Sequence, residues 1–150
     1  MSAPLITFAY ASRTTHVLDD AAIAALGRQA AARNALESVT GLLLCGETTF
    51  VQVLEGPREA VMDTVRRICR DERHNGLVVL RVACIDARRF GAWSMGVVQG
   101  DRFAGFPGLD AFLLPEFTPE AALADVEATL GVMRTLPRLL SGNRGVTDAA

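Results

Sequence analysis

Apolar and polar positions alternate along Leu5–Tyr10, with Ile6, Phe8 and Tyr10 on one face and Leu5, Thr7 and Ala9 on the other. A repeat of two marks a strand, and two largely apolar faces predict a central one. From Asp20 to Ala35 the repeat lengthens. Ile23, Leu26 and Ala30 recur at spacings of three and four, an amphipathic helical stripe that Asp19 or Asp20 can cap. Leu42–Cys45 and Phe50–Glu55 return to strand character around Gly46-Glu47-Thr48-Thr49, a hairpin. Pro57 stands near the first turn of a second helix that carries Val61, Val65 and Ile68 on one side. Asn75-Gly76 reads as a turn, Leu77–Ile85 as a long strand and Trp93–Val98 as a short one with Trp93 and Met95 on a shared face.

The order β-α-β-β-α-β-β predicts an α/β (α+β) fold, a ferredoxin-like sandwich with a five-stranded mixed sheet and two helices on one face. Leu5, Val51 and Val53 point the other way, so the second face needs a cover. The tail can supply it. Thr118 is an N-cap ahead of Pro119, the stripe Leu123, Val126, Leu130 and Met133 follows, and Pro137 is expected to stop the helix. We therefore expect a domain over residues 1–98 and a C-terminal helical extension over 99–150. The boundary is placed near Gly100 to Gly108, and Ser141 to Ala150 are expected to be disordered.

Composition narrows the function. A chain of 150 residues, half of them hydrophobic, buries one core. A net charge of -2 argues against a nucleic-acid binder that works by neutralising phosphates. No apolar run of about 18 residues predicts a membrane span. No basic stretch followed by an apolar one predicts a secretory leader. Cys45, Cys69 and Cys84 are odd in number and widely spaced, which argues against disulfides or a zinc site, for three small buried hydrophobes and for a reducing cytoplasm. With one Tyr and one Trp in the chain, phenol or indole chemistry must use Tyr10 or Trp93.

Several polar groups then stand on apolar faces. Tyr10 continues the face of Ile6 and Phe8. Gln52 lies between Phe50 and Leu54. Asn34 follows Ile23 by eleven residues, close to three helical turns, which puts it on the core-facing stripe or makes it a C-terminal cap. A buried amide without a partner costs about 1–3 kcal/mol. Two amides and a phenol carry more donors and acceptors than they can exchange among themselves, so a planar ligand with polar groups on its edge would absorb the surplus.

In the stretches that carry these residues, the chain resembles the BLUF family of blue-light sensors using flavin. They are Phe8-Ala9-Tyr10-Ala11-Ser12-Arg13, Arg33-Asn34-Ala35, Val39-Thr40-Gly41-Leu42-Leu43-Leu44, Phe50-Val51-Gln52-Val53-Leu54-Glu55-Gly56, Arg70-Asp71-Glu72-Arg73-His74 and Trp93-Ser94-Met95-Gly96. The resemblance covers about residues 4 to 98. It implies a non-covalent flavin, FAD or in its place FMN or riboflavin, held between the two helices. It assigns photoactive roles to Tyr10 and Gln52, with Met95 and Trp93 as relays. It assigns cofactor contacts to Asn34, Arg33, Ile23, Leu26 and Phe50, with Arg70, Arg73 and His74 near the ribityl-phosphate tail. It further implies a short, stand-alone photoreceptor, not an enzyme, that signals as a homo-oligomer or through a partner protein.

Two alternatives remain on this fold. A small-molecule-binding regulatory or interaction module would explain the apolar face but not Tyr10, Asn34 and Gln52 together. An acylphosphatase-like hydrolase needs a glycine-rich phosphate loop, and Arg13 lies in Ala-Ser-Arg-Thr-Thr, without Gly.

Overall fold

The computed structural model describes residues 3–99, 116–140 and 146–148. Strand β1 (Leu5–Thr14) leads to helix α1 (Asp20–Glu37), the hairpin β2 (Thr40–Cys45) and β3 (Thr49–Pro57), helix α2 (Arg58–Cys69), and strands β4 (His74–Ile85) and β5 (Gly96–Gln99). The sheet order is β4-β1-β3-β2-β5-β6, where β6 is Val146–Asp148, with β2 and β5 parallel and the other pairs antiparallel. The five expected strands are all present.

The alternation in the sequence sorts side chains onto two faces. Ile6, Phe8, Phe50 and Leu54 pack with Ala31 of α1 and with Val61 and Val65 of α2. Ala9, Val51 and Val53 point the other way and pack with Leu130, Met133 and Leu136 of the tail. The tail therefore covers the second face as expected, but as two helices. Helix α3 (Pro119–Ala124) breaks at Asp125, and α4 (Val126–Leu140) follows. Pro137 does not end α4. Met133 and Leu136, almost fully buried, hold that turn against the sheet, and a proline near a helix end forfeits only one backbone bond.

Four further expectations are corrected. Asn75-Gly76 is no turn between elements: it lies inside β4, where Gly76 takes φ +62 as the register with β1 slips between Ala11/Val78 and Arg13/Asn75. The left-handed backbone that makes Gly a turn residue here makes a bulge. Residues Val146–Asp148 are not disordered but add a sixth strand, β6, antiparallel to β5. Cys69 and Cys84 are exposed, and only Cys45 is buried. Trp93 and Met95 precede β5, because the Trp93 N–H and carbonyl bond to Phe90 and Gly41. The boundary expected near Gly100 to Gly108 lies outside the described residues. Among the described residues no helix is long and apolar enough to cross a membrane.

Candidate functional site

A cavity of about 230 Å³ opens between α1, α2 and the sheet. Leu26 and Ala30 of α1, Leu43 and Phe50 of the sheet and Ile68 of α2 give it apolar walls. Its polar floor follows from strand pairing. The antiparallel register sets Tyr10 opposite Gln52, and both side chains share the α1/α2 face. The Tyr10 hydroxyl donates to Gln52 Oε1, and Gln52 Nε2 donates to Met95 Sδ at 3.2 Å. All three residues are buried.

Asn34 enters from α1. The Asp19 carboxylate caps that helix by accepting from the Ala22 N–H at 2.7 Å. Ser38, at φ 61, ends it, which settles the alternative reading of Asn34 as the cap. The Asn34 side chain turns inward, 2% exposed, and its Nδ2 donates to the Ser94 carbonyl at 2.9 Å. Two cavity amides thus grip the same short segment, Asn34 at Ser94 and Gln52 at Met95.

Burial pushes the Tyr10 phenol far above its ordinary range, helped by the thiols of Cys45 and Cys69 and the carboxylate of Asp71. Tyr10 is therefore a neutral donor to Gln52 rather than a phenolate. His74 faces the Tyr10 and Phe50 rings, with centroids 6.2 and 6.3 Å away. Its Nε2 lies 2.7 Å from the Ile68 carbonyl, so that nitrogen carries the proton. Its Nδ1 is buried without a partner among the described residues. Asp71 is held below the usual carboxylate range by hydrogen bonds from Arg73. Arg67 donates to both Glu37 oxygens, at 3.2 and 3.1 Å, and so straps α2 to the end of α1.

Tyr10, Leu26, Arg33, Asn34, Phe50, Gln52, Arg73 and His74 come together around this cavity. Ile23 packs against the same core without lining it. Arg70 is exposed at the end of α2, away from the lining. Trp93 packs against the tail-side core and Met95 against the cavity-side core, so they lie on opposite faces rather than one. Strand alternation does not apply to them, because the segment before Gly96 is a loop. Gln29, Thr64 and Arg67 also line the cavity, together with Ile68 of the α2 stripe and Asp71 of the Arg70–His74 stretch, none of which the sequence assigns to the site. Helical spacing carries most of them: residues 26, 29, 30 and 33 on α1 and 64, 67 and 68 on α2 follow steps of three and four, and Asp71 lies just past the end of α2.

The donor set suits a flat ring with carbonyl and N–H groups along one edge and an apolar body. The orphaned His74 Nδ1 offers an acceptor for a hydroxyl, and Arg33 supplies positive charge, while Arg67 and Arg73 are paired with Glu37 and Asp71.

A family profile described as "BLUF: Sensors of blue-light using FAD" matches residues 5–96. Photoactivated adenylate cyclase subunit beta of Euglena longa is 36% identical over 110 residues, 73% of this chain and 13% of that protein. The blue light- and temperature-regulated antirepressor BluF of Escherichia coli (strain K12) is 39% identical over 94 residues, 61% of this chain and 23% of that protein. The dark-state structure of BlrB, a BLUF protein, superposes with a TM-score of 0.68 at 33% identity, covering 88% of this chain and 98% of that one.

Proposed function

The chain belongs to the BLUF family, flavin-based sensors of blue light, and on that premise we propose that FAD occupies the α1/α2 cavity and that Tyr10 and Gln52 are its switch. The supporting observation is the hydrogen-bond series Tyr10–Gln52–Met95 along the cavity floor. Asn34 and Gln52 would hold the polar edge of the ring, Leu26 and Phe50 would flank it, and Arg33, Arg73 and His74 would serve the ribityl-phosphate end. Arg70 plays no part in this assignment, since it is exposed at the end of α2.

A flavin held in this cavity would supply absorption of blue light and a strong oxidant in its excited state. Tyr10 is the phenol in reach of the cavity and would be the electron donor, with its proton held on the bond already made to Gln52 Oε1. An amide carries a donor and an acceptor on one planar group. Once Tyr10 is restored, Gln52 would settle by rotation or tautomerisation into a different arrangement, and its bond to Met95 would change with it. Met95 then carries the change into β5.

We assign residues 1–98 to the sensor unit and 99–150 to the output extension. The output is signalling without catalytic turnover, in the cytoplasm, through a homo-oligomer or a partner protein. The Euglena relative is named as a photoactivated adenylate cyclase subunit, so a similar segment there accompanies a cyclase.

Purified protein should be yellow, and blue light should shift its absorption slightly to the red, reversibly in darkness. Tyr10→Phe and Gln52→Leu should retain the flavin and lose the shift entirely. Asn34→Ala should instead release flavin more readily. A colourless protein that takes up no added FAD, or a normal shift in Tyr10→Phe, would overturn the assignment.

A further inference from the structure

Glu55 is 1% exposed, faces the tail side of the sheet, and pairs with no cation among the described residues. Its carboxylate accepts from two backbone N–H groups instead. The Arg89 N–H is shared between its oxygens at 3.0 and 2.9 Å, and the Phe90 N–H reaches Oε1 at 2.8 Å. The Glu55 carbonyl takes a further bond at 3.0 Å from the Arg88 guanidinium, which also reaches Thr40 Oγ1 at 2.9 Å and the Ser38 carbonyl at 2.7 Å. The start of the β4–β5 connection is thus bolted to the sheet.

The other end of that connection is Met95, held by Gln52 from the opposite face of the same strand. Gln52 and Glu55 are three residues apart on β3, and the strand alternation sends them to opposite faces. Between the two holds, the Trp93 N–H donates to the Phe90 carbonyl at 3.1 Å, and the Trp93 carbonyl accepts from the Gly41 N–H at 3.1 Å. Phe90, 1% exposed, belongs to the core that includes Leu130, Met133 and Leu136 of α4.

Resting on the function proposed above, we infer that Glu55 is a positioning residue. It pins the Arg89–Phe90 end of the segment whose Met95 end answers to Gln52, so that a change at Gln52 reaches α4 through Phe90. The chemistry of the two holds differs in the required way. A carboxylate only accepts, so against two N–H donors it has no competing orientation. An amide both donates and accepts, so it can change partners. One end of the segment is a fixed point and the other is movable. A rearrangement at Met95 is therefore passed on as a swing of the Phe90 ring about its pinned backbone, against Leu130, Met133 and Leu136, instead of being absorbed by slack.

Glu55→Gln keeps the side-chain volume and removes one acceptor and the charge. In darkness it should speed hydrogen exchange at the Arg89 and Phe90 amides about tenfold. It should leave flavin content and the size of the red shift unchanged, because Glu55 does not line the α1/α2 cavity. The light-minus-dark difference in exchange over residues 126–136 should fall to less than about half that of the unaltered chain. Phe90→Leu keeps the carboxylate hold and shortens the contact with α4. It should lower the same difference without speeding exchange at residues 89 and 90, and it carries the test if Glu55→Gln does not fold. A purely structural role predicts a lower melting temperature in both light states with the light-minus-dark difference intact. That result in either variant overturns the proposal. If the unaltered chain shows no red shift at all, the failure belongs to the flavin assignment, and the dark exchange at residues 89 and 90 still decides whether Glu55 is the hold.

Discussion

On the face covered by α1 and α2, strand β3 presents Gln52 to Tyr10 and Met95. Three residues further along and on the opposite face, it presents Glu55 to the backbone of Arg89 and Phe90. Both side chains are at most 5% exposed. The cavity face places neutral groups that can exchange donor and acceptor roles. The tail face places an acceptor that cannot. A buried polar group must be satisfied on either face, but the number of ways of satisfying it separates a switch from an anchor. The apolar residues around them follow the same division. Each face has its own core, and only the cavity-side core contains a phenol and a buried thiol.

The largest expected effects break this comparison by removing packing from one face at a time. Leu54 and Leu136 are both fully buried, in the cavity-side and tail-side cores respectively. Leu→Ala at either site should cost about 2–5 kcal/mol of stability by denaturant unfolding. Only Leu54→Ala should alter the flavin absorption band and the rate of dark recovery. If Leu136→Ala disturbs the dark-state absorption equally, the two faces are one mechanical unit and the division fails.

A smaller effect sharpens the contrast through pH. Burial pushes the Cys45 thiol up to about 12 from an ordinary value near 9, and drives the Tyr10 phenol up as well. A folded value above the unfolded one means that the native state holds its proton more tightly. The stability this contributes is complete below pH 9 and is lost as pH rises from 9 towards 12. The loss due to Cys45 is about 1 kcal/mol at pH 10. Cys45→Val should therefore flatten part of the alkaline limb in unfolding midpoints measured between pH 7 and 11. An unchanged limb would mean that the thiol is not excluded from water.

Much of this was legible in the sequence, for physical reasons. Strand alternation sorted Ile6, Phe8, Tyr10 and Gln52 onto one face and Val51 and Val53 onto the other, because a period of two survives any tertiary context. Asn34 was legible because helical spacing placed it inward. What was lost lay where one residue signal serves two geometries. Asn-Gly marks a turn and a bulge alike, and Gly76 used its positive φ for the bulge. Trp93 and Met95, two residues apart, suggest one strand face, but their backbone lies outside the ladder. Glu55 was part of the quoted motif, yet its role was hidden. Its partners are backbone N–H groups, which every residue but proline possesses, so no partner residue type marks it. Thr64 and Arg67 stand at the same helical spacing as Ile68 on α2, but a polar residue at that spacing marks a solvated face as readily as a cavity wall.

The smallest expected effect tests whether the two faces can be loosened separately at helix starts. Asp19 caps α1 through the Ala22 N–H at 2.7 Å, and Thr118 caps α3 through the Ala121 N–H at 3.1 Å. Replacing either by Ala leaves an N–H at the helix start without its side-chain acceptor and should cost about 0.5–1 kcal/mol. The consequences should differ. Leu26, Gln29 and Ala30 of the cavity lining stand on α1, so fraying of its first turn loosens the wall, and Asp19→Ala should release flavin faster in dilution or filtration assays. Thr118→Ala frays a helix packed on the other side of the sheet and should leave the release rate unchanged at a similar loss of stability. Equal acceleration by both variants would show that flavin retention tracks global opening, and the cavity face would then have no stability of its own.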